Sequence, residues 1–149
     1  MYLEEFKVGE IFKLGPISLT EEEIVEFARK YDPQPIHVDY EFANNSAFKG
    51  VIASGFHTIN VIWNEWVKSN RFGTEIIAGM GMDYLNWTAA VYPGDKLIAL
   101  VEVVEIKPSS KGDRGVIALK FTINNEKEQT VLTTQLKAMI KSNANNKGL

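Results

Sequence analysis

A possible acid–base pair lies in one short stretch, Tyr31-Asp32-Pro33-Gln34-Pro35-Ile36-His37. Asp32 and His37 are five positions apart, with Pro33 and Pro35 between them. Each proline fixes its own φ and biases the preceding residue towards extended or turn conformations, so a stiff loop that cannot be helical is predicted. A carboxylate and an imidazole held in such a loop suit proton transfer to and from one water molecule. The alternative is an ordinary linker in which Asp32 ends a helix and His37 is a hydrogen-bonded loop side chain.

A second candidate site is Ser54-Gly55, where an apolar run ends and a helical pattern begins. Unpaired N–H groups and the helix dipole at such a point favour an oxyanion. Glycine also lets a ligand carbonyl approach the backbone closely. The plainer alternative is a helix start with Ser54 as its N-cap.

Three helices are predicted to position these residues. Thr20 and Glu23 form a capping-box pattern at the start of an amphipathic helix over 21–31, which ends just before the prolines. Asp39 is predicted to cap a shorter helix through Ala43 and as far as Ala47.

The third predicted helix, Gly55–Ser69, is the candidate for the centre of the fold. Its apolar side is predicted to comprise Phe56, Ile59, Ile62, Trp63, Trp66 and Val67, so the helix is expected to be largely buried.

The second half of the chain has the patterns of β-strands. A short strand is also predicted early, from Ile11 to Leu14. The later segments are Ile76–Trp87, Lys96–Lys107, Val116–Asn124 and Thr130–Ser142. Short turns between them favour sequential antiparallel pairing. The predicted class is α+β, one domain over residues 1–149 with an antiparallel sheet on a long helix. Residues 143–149 are predicted to be a disordered tail.

Composition excludes several classes of function. The 149 residues carry a net charge of −3, which argues against broad nucleic-acid binding. The absence of cysteine excludes disulfides, thiolate zinc sites and a cysteine nucleophile. No apolar run reaches the ~18 residues of a membrane span. No membrane or nucleic-acid partner and no metal site are therefore predicted, and a cytoplasmic location is the default.

Several motifs together resemble one family. The Tyr31–His37 stretch resembles the Asp-x-Asn-Pro-x-His signature of the MaoC-like, R-specific enoyl-CoA hydratases. The similarity extends over residues 5–141. It continues through Phe42-Ala43, Phe48-Lys49-Gly50, Val51-Ile52-Ala53-Ser54-Gly55 and the helix that follows, then through Trp87 and Val91-Tyr92-Pro93-Gly94-Asp95-Lys96-Leu97.

The resemblance implies a hotdog fold, in which a curved antiparallel sheet encloses the 55–69 helix. It implies that Asp32 and His37 activate the water that adds to a 2-enoyl-CoA. It also implies that the backbone N–H of Gly55, with Ser54 beside it, binds the thioester oxygen. An acyl-CoA substrate, no cofactor, and a homodimer or assembly of dimers are expected, since single-domain members form dimers.

The sequence departs from the family pattern at three places. Gln34 replaces the usual Asn, and Ser54-Gly55-Phe56-His57 stands where hydratases often carry a His-Gly-Met segment. Trp63 occupies a position where some relatives carry serine. These changes bear on the acyl chain and the reaction direction. Two other hotdog functions remain open, an acyl-CoA thioesterase and a non-catalytic acyl-CoA-binding subunit.

Other conspicuous residues are predicted to be structural. His57 is predicted to lie in the core or a dimer interface, and Trp63 and Trp66 in the core. Gly79-Met80-Gly81-Met82 is predicted to mark a strand bulge or a close backbone approach. The basic residues between Lys107 and Arg114 are predicted to form a solvated hairpin tip.

Overall fold

Four strands from the second half of the chain and one strand near its start form a five-stranded antiparallel sheet. The computed structural model describes residues 1–143. The strands are β1 (Ile11–Ile17), β2 (Ile76–Trp87), β3 (Leu97–Pro108), β4 (Arg114–Asn124) and β5 (Thr130–Lys141). Their spatial order is β1-β3-β4-β5-β2, and every neighbouring pair is antiparallel.

The strand order differs in part from the prediction of sequential pairing. The β3–β4 and β4–β5 hairpins are sequential, as the five-residue connections 109–113 and 125–129 require. The longer 88–96 connection instead passes across the sheet from β2 to β3, so β2 pairs with β5 and not with β3. As a result β2 and β1 form the two edges of the sheet.

The helices precede or interrupt the strands. They are α1 (Glu21–Tyr31), α2 (Pro35–Val38), α3 (Tyr40–Asn44) and α4 (Gly55–Lys68), and a 3₁₀ turn lies at Leu3–Glu5. The predicted capping box of α1 is confirmed, because Thr20 Oγ1 accepts from Glu23 N–H and Glu23 Oε1 accepts from Thr20 N–H, both at 3.1 Å. Asp39 caps α3 through Phe42 N–H at 3.0 Å, and α3 ends at Asn44 rather than continuing to Ala47.

The prediction that the proline loop is not helical is wrong for its second half. Residues 35–38 form one helical turn, with Pro35 in its first position. A proline there loses no helical hydrogen bond, and its fixed φ suits the helix. The turn places His37 on the buried side of the chain.

Helix α4 packs its inner face on the sheet. Trp66 is fully buried, and its ring lies 6.1 Å from that of Phe121 on β4. The predicted apolar side is buried at Ile59, Ile62 and Trp66, but Phe56 and Val67, which were predicted on the same side, are 53% and 52% exposed. The buried face includes His57 and Thr58 instead, since the contact with the sheet selects one side of an apolar helix.

Other parts of the fold agree with the predictions. The register of β2 against β5 shifts between Gly79 and Gly81, which confirms a bulge. Lys107 is exposed and Arg114 is half-buried, and they pair with Glu105 and Asp113, as expected near a solvated hairpin. The predicted disorder of the tail concerns residues 144–149, which lie outside the described residues.

Residues 1–143 contain neither a membrane-spanning helix nor a clustered metal site. In this part of the chain no helix is both long and apolar enough to cross a membrane. The same residues contain no group of three or more His, Cys, Asp or Glu side chains that could hold a metal ion. The predicted cytoplasmic location stays a prediction.

Candidate active site

Asp32 and His37 converge on one point because a helix ends at the first and a helical turn carries the second. Asp32 is the C-cap of α1, and its N–H donates to Ala28 O at 2.8 Å. His37 lies on α2, where its Nε2 is 3.5 Å from Asp32 Oδ2. The two side chains are only 14% and 6% exposed. The structure therefore brings together the pair that the sequence singled out.

A hydrogen bond from His37 to the backbone determines which of its ring nitrogens carries the hydrogen. Nδ1 lies 2.6 Å from Ile52 O. A carbonyl oxygen only accepts hydrogen bonds, so Nδ1 carries the hydrogen and donates it. In the neutral ring, Nε2 is then an unprotonated acceptor beside Asp32. The backbone carbonyl of Ile52, 15 residues along the chain, thus orients the imidazole.

The carboxylate of Asp32 is held by two side-chain donors. Ser54 Oγ donates to Oδ2 at 2.7 Å, and Gln34 Nε2 donates to Oδ1 at 2.8 Å. Burial by itself raises the pKa of Asp32. The hydrogen bonds from Ser54 and Gln34, with the nearby His37 ring, outweigh burial and hold that pKa below its usual range. Asp32 is therefore a carboxylate acceptor at neutral pH.

Ser54 is the N-cap of α4, as one of the two alternatives predicted, and it also contacts Asp32. It is fully buried, and besides donating to Asp32 its Oγ accepts from Phe56 N–H at 3.3 Å as the N-cap of α4. The hydroxyl thus links the start of α4 to the carboxylate. Contact of Ser54 with substrate stays a prediction.

A cavity of about 340 Å³ opens onto the pair. Asp32, Gln34 and His37 provide the polar part of its wall, and Gly55 borders it at the first position of α4. The remaining wall is mostly apolar: Phe48, Ile52, Ala53, Phe56, Thr58, Trp87, Thr88, Ala89, Ala90, Val91 and Val131. An apolar cavity with a few convergent polar groups is the usual form of a small-molecule site.

Gly55 is required by the close approach of Trp87. A Cβ at position 55 would overlap the indole atoms Cε2, Nε1 and Cδ2 of Trp87. The Gly55 N–H donates no hydrogen bond to the chain within residues 1–143. It is therefore a free donor at the N-terminus of a 14-residue helix, where the dipole is positive.

Two residues of this site carry contacts that sequence reasoning did not find. In the sequence Gln34 is conspicuous only as a substitution in a motif, although its amide is within reach of a carboxylate two residues away. Trp87 belongs to a strand pattern and is not otherwise conspicuous. Nothing in the local sequence indicates that its ring covers Gly55, because the two residues belong to different elements.

The residues predicted to be structural lie outside the cavity wall. His57 is buried and stacks on Phe27 with ring centroids 4.3 Å apart, which confirms a core position. Burial lowers the pKa of His57, against the opposing charge of Glu23. Trp63 and Trp66 both pack against Phe72 in the core.

Comparison with known proteins places this site in a family. Residues 5–125, most of the chain, match the family model described as MaoC like domain. The chain belongs to the MaoC-like family. A relative, the uncharacterized protein YdeM of Bacillus subtilis (strain 168), is 35% identical over 141 residues, which cover 95% of this chain and 99% of YdeM.

Solved structures of similar shape include two MaoC-like or hydratase proteins. The MaoC-like dehydratase from Rhodospirillum rubrum is 31% identical and has a TM-score of 0.87. The match covers 95% of this chain and 97% of the R. rubrum chain. The R-hydratase PhaJ1 from Pseudomonas aeruginosa, at 23% identity and a TM-score of 0.74, covers 95% and 86%. The predicted hotdog fold and the predicted family are confirmed. The roles assigned to Asp32, His37, Ser54 and Gly55 stay predictions.

Proposed function

We propose that this MaoC-like protein is a hydro-lyase that adds water to a trans-2-enoyl-CoA, giving an (R)-3-hydroxyacyl-CoA, or catalyses the reverse dehydration. The observation that carries the proposal is the bond between His37 Nδ1 and Ile52 O, which leaves Nε2 as an acceptor beside Asp32. Family membership supports the reaction class, since the 31% identical R. rubrum protein is described as a MaoC-like dehydratase.

The proposed water site lies between the two acceptors. Asp32 Oδ2 and His37 Nε2 are 3.5 Å apart, so one water can donate a moderately bent hydrogen bond to each. A water that donates both its hydrogens directs an oxygen lone pair away from the pair and towards the cavity. This orientation is the one that a nucleophilic water requires.

The proposed reaction returns both residues to their starting protonation states. His37 Nε2 takes a proton from the water as the water oxygen bonds to C3 of the enoyl group. The C2–C3 π electrons move onto the thioester carbonyl, forming an enolate. The imidazolium then gives a proton to C2, and the carbonyl re-forms. Asp32 stays ionised throughout and stabilises the imidazolium, which fits the lowered pKa of its carboxyl.

The proposed oxyanion donor is the backbone N–H of Gly55. The enolate places negative charge on the thioester oxygen, and a donor that already points at that position stabilises it without reorganisation. Gly55 N–H has no partner within residues 1–143 and stands at a positive helix end. A thioester with its oxygen there would lie along the apolar wall, where the acyl chain is desolvated.

A second copy of the chain is the proposed partner, and it would occupy the outer edge of β2. This 12-residue edge strand exposes a row of large apolar side chains, each between 36% and 53% exposed: Ile77, Met80, Met82, Tyr84 and Trp87. Long apolar edge strands are normally covered or blocked by charge, and β2 has only Asp83 among twelve residues. Because Trp87 also lines the cavity, a homodimer would place the site near its interface.

The test is an assay that follows two bonds in one substrate. Purified protein is incubated with crotonyl-CoA, while loss of the enoyl-thioester ultraviolet absorbance and release of free thiol are followed in parallel. We expect hydration without thiol release. Asp32→Asn and His37→Ala should each lower kcat at least ~10²-fold, as expected for acid–base groups.

Asp39→Asn is the matched control for the carboxylate. It changes a nearby carboxylate that caps α3, and asparagine caps helices equally well, so activity should be unchanged. Thiol release with no hydration would replace the proposal by thioester hydrolysis. Neither reaction, with CoA thioesters still bound, would support a binding subunit. Near-normal turnover of either site variant would refute the assignment of the pair.

A further inference from the structure

The indole nitrogen of Trp87 is a second hydrogen-bond donor close to Gly55. A single backbone N–H gives limited stabilisation to the negative charge of an enolate oxygen. Each further donor directed at the same oxygen lowers the energy of the charged state. Within residues 1–143, Trp87 Nε1–H donates to no other group, although the ring lines the cavity together with Gly55, Asp32 and His37.

The position of the indole nitrogen follows from its overlap with Gly55. The atoms Cε2, Nε1 and Cδ2 all fall within 2.5 Å of the point where a Cβ of residue 55 would stand. By standard geometry a Cβ is about 2.5 Å from its own backbone nitrogen, so Nε1 and Gly55 N are separated by at most about 5 Å. One oxygen can accept from two nitrogens at about 2.9 Å each when these are less than about 5.8 Å apart. The spacing of the two nitrogens therefore permits both to donate to one thioester oxygen.

The ring is held in this position from more than one side. Trp87 is the last residue of β2, where it pairs with Leu132 of β5. Its ring meets Phe56 edge-on, with centroids 5.1 Å apart and planes at 74°. About half of the residue remains exposed. Packing alone would be served equally by a phenyl ring, which has no donor to place beside the free N–H of Gly55.

We propose that Trp87 Nε1–H binds the thioester oxygen together with Gly55 N–H and stabilises the enolate, a role that rests on the function proposed above. The two donors come from different elements, one from the start of α4 and one from the end of β2. A preorganised donor of this kind acts mainly on the transition state, where the charge on oxygen is greatest. Its loss is therefore expected in kcat rather than in KM.

The first experiment replaces the indole by a ring without a donor. Trp87→Phe keeps an aromatic ring against Gly55 and Phe56, and we expect kcat for crotonyl-CoA to fall about 10- to 100-fold with KM changed less than about 3-fold. Trp63→Phe is the matched control, since it removes an indole that packs on Phe72 away from the cavity wall. Wild-type kcat in Trp87→Phe would overturn the inference and leave the hydratase proposal standing.

The second experiment does not depend on turnover. The chain contains three tryptophans, and the indole N–H resonance of Trp87 in a ¹⁵N–¹H spectrum is the one missing from Trp87→Phe. Butyryl-CoA has the thioester oxygen but no double bond to hydrate, whereas S-butyl-CoA, a thioether, lacks the oxygen. We expect butyryl-CoA to move the Trp87 N–H resonance downfield and S-butyl-CoA to leave it in place.

The two experiments separate failure of the inference from failure of the proposed function. Equal movement with both compounds, or none with butyryl-CoA, would overturn the role of the indole even if hydration is observed. Absence of hydration by the wild type would refute the hydratase proposal. In that case the comparison of thioester with thioether still decides whether the indole binds the carbonyl oxygen.

Discussion

Replacing Ser54 by alanine is expected to weaken both the fold and the acid–base pair, because one hydroxyl serves both. Ser54 Oγ donates to the Asp32 carboxylate at 2.7 Å and accepts from Phe56 N–H at 3.3 Å as the cap of α4. The residue is fully buried, and the substitution removes a single oxygen. No large cavity is created, so the effect reports on the two hydrogen bonds.

The expected loss of stability follows from these two contacts. A hydrogen bond to a charged group contributes about 1.5–3 kcal/mol, and an N-cap contributes about 0.5–2 kcal/mol. The capping bond is long, and the Asp32 side chain is 14% exposed, so water can replace part of what is lost. We expect the free energy of unfolding to fall by roughly 2–3 kcal/mol, or about 4–12 °C in Tm for a chain of this size.

The pH dependence has a definite sign. The lowered pKa of Asp32 means that its ionised form stabilises the fold above the unfolded value near ~3.9, and that this stabilisation is lost as pH falls through the folded pKa. Without Ser54, burial is less opposed and the pKa of Asp32 rises. The stability difference between wild type and variant should therefore be greatest near neutral pH and narrow below about pH 4. The part of the acid limb of kcat/KM that follows protonation of Asp32 should move to higher pH.

Urea titrations at several pH values, with the pH profile of crotonyl-CoA hydration, provide the measurements. Ser69→Ala is the control, since Ser69 Oγ donates to Trp66 O at 2.6 Å at the other end of the same helix and has no contact with Asp32. A loss below about 0.5 kcal/mol with an unchanged acid limb would refute the reasoning. A raised KM with unchanged kcat would instead support direct contact of Ser54 with substrate.

Two further substitutions test the amide at the site and the edge of the sheet. Gln34→Glu places a second carboxylate where an amide now donates to Asp32 at 2.8 Å. The pKa of Asp32 should therefore rise, and the acid limb of kcat/KM should shift to higher pH. An unchanged pH profile would contradict that contact. Met80→Lys adds a charge to the exposed edge strand β2 and should convert a dimer to a monomer in analytical ultracentrifugation. Leu100→Lys is the control, because it adds the same charge at an exposed apolar site on β3 and should leave the dimer intact. A dimer that survives Met80→Lys would place the interface elsewhere.

The elements predicted most accurately from sequence are those specified by neighbouring residues. The capping box at Thr20 defines the start of α1, and alternation along the chain indicates β2 to β5 to within two residues. The proline stretch shows the limit of this reasoning. Two prolines argue against a helix in general, yet Pro35 occupies the one helical position where a proline is favoured.

The order of the strands is not readable from local patterns. Tight turns determine the β3–β4 and β4–β5 hairpins. The nine-residue connection after β2 is too long to determine which strand β2 pairs with. Which strand lies at an edge depends on how the whole sheet closes over α4. The exposed apolar row on β2 consequently could not be recognised as an edge surface before the fold was known.

The candidate site divides in the same way. Types and spacing within a few residues already single out Asp32, His37 and Gly55, because motif chemistry and helix starts are local properties. The hydrogen bonds from His37 Nδ1–H to Ile52 O and from Ser54 Oγ–H to Asp32, like the contact of the indole with Gly55, join residues 15 to 32 positions apart. Such contacts depend on packing between separate elements, so the fold alone establishes which nitrogen of His37 is the acceptor, how the carboxylate is held, and what lies beside the free N–H.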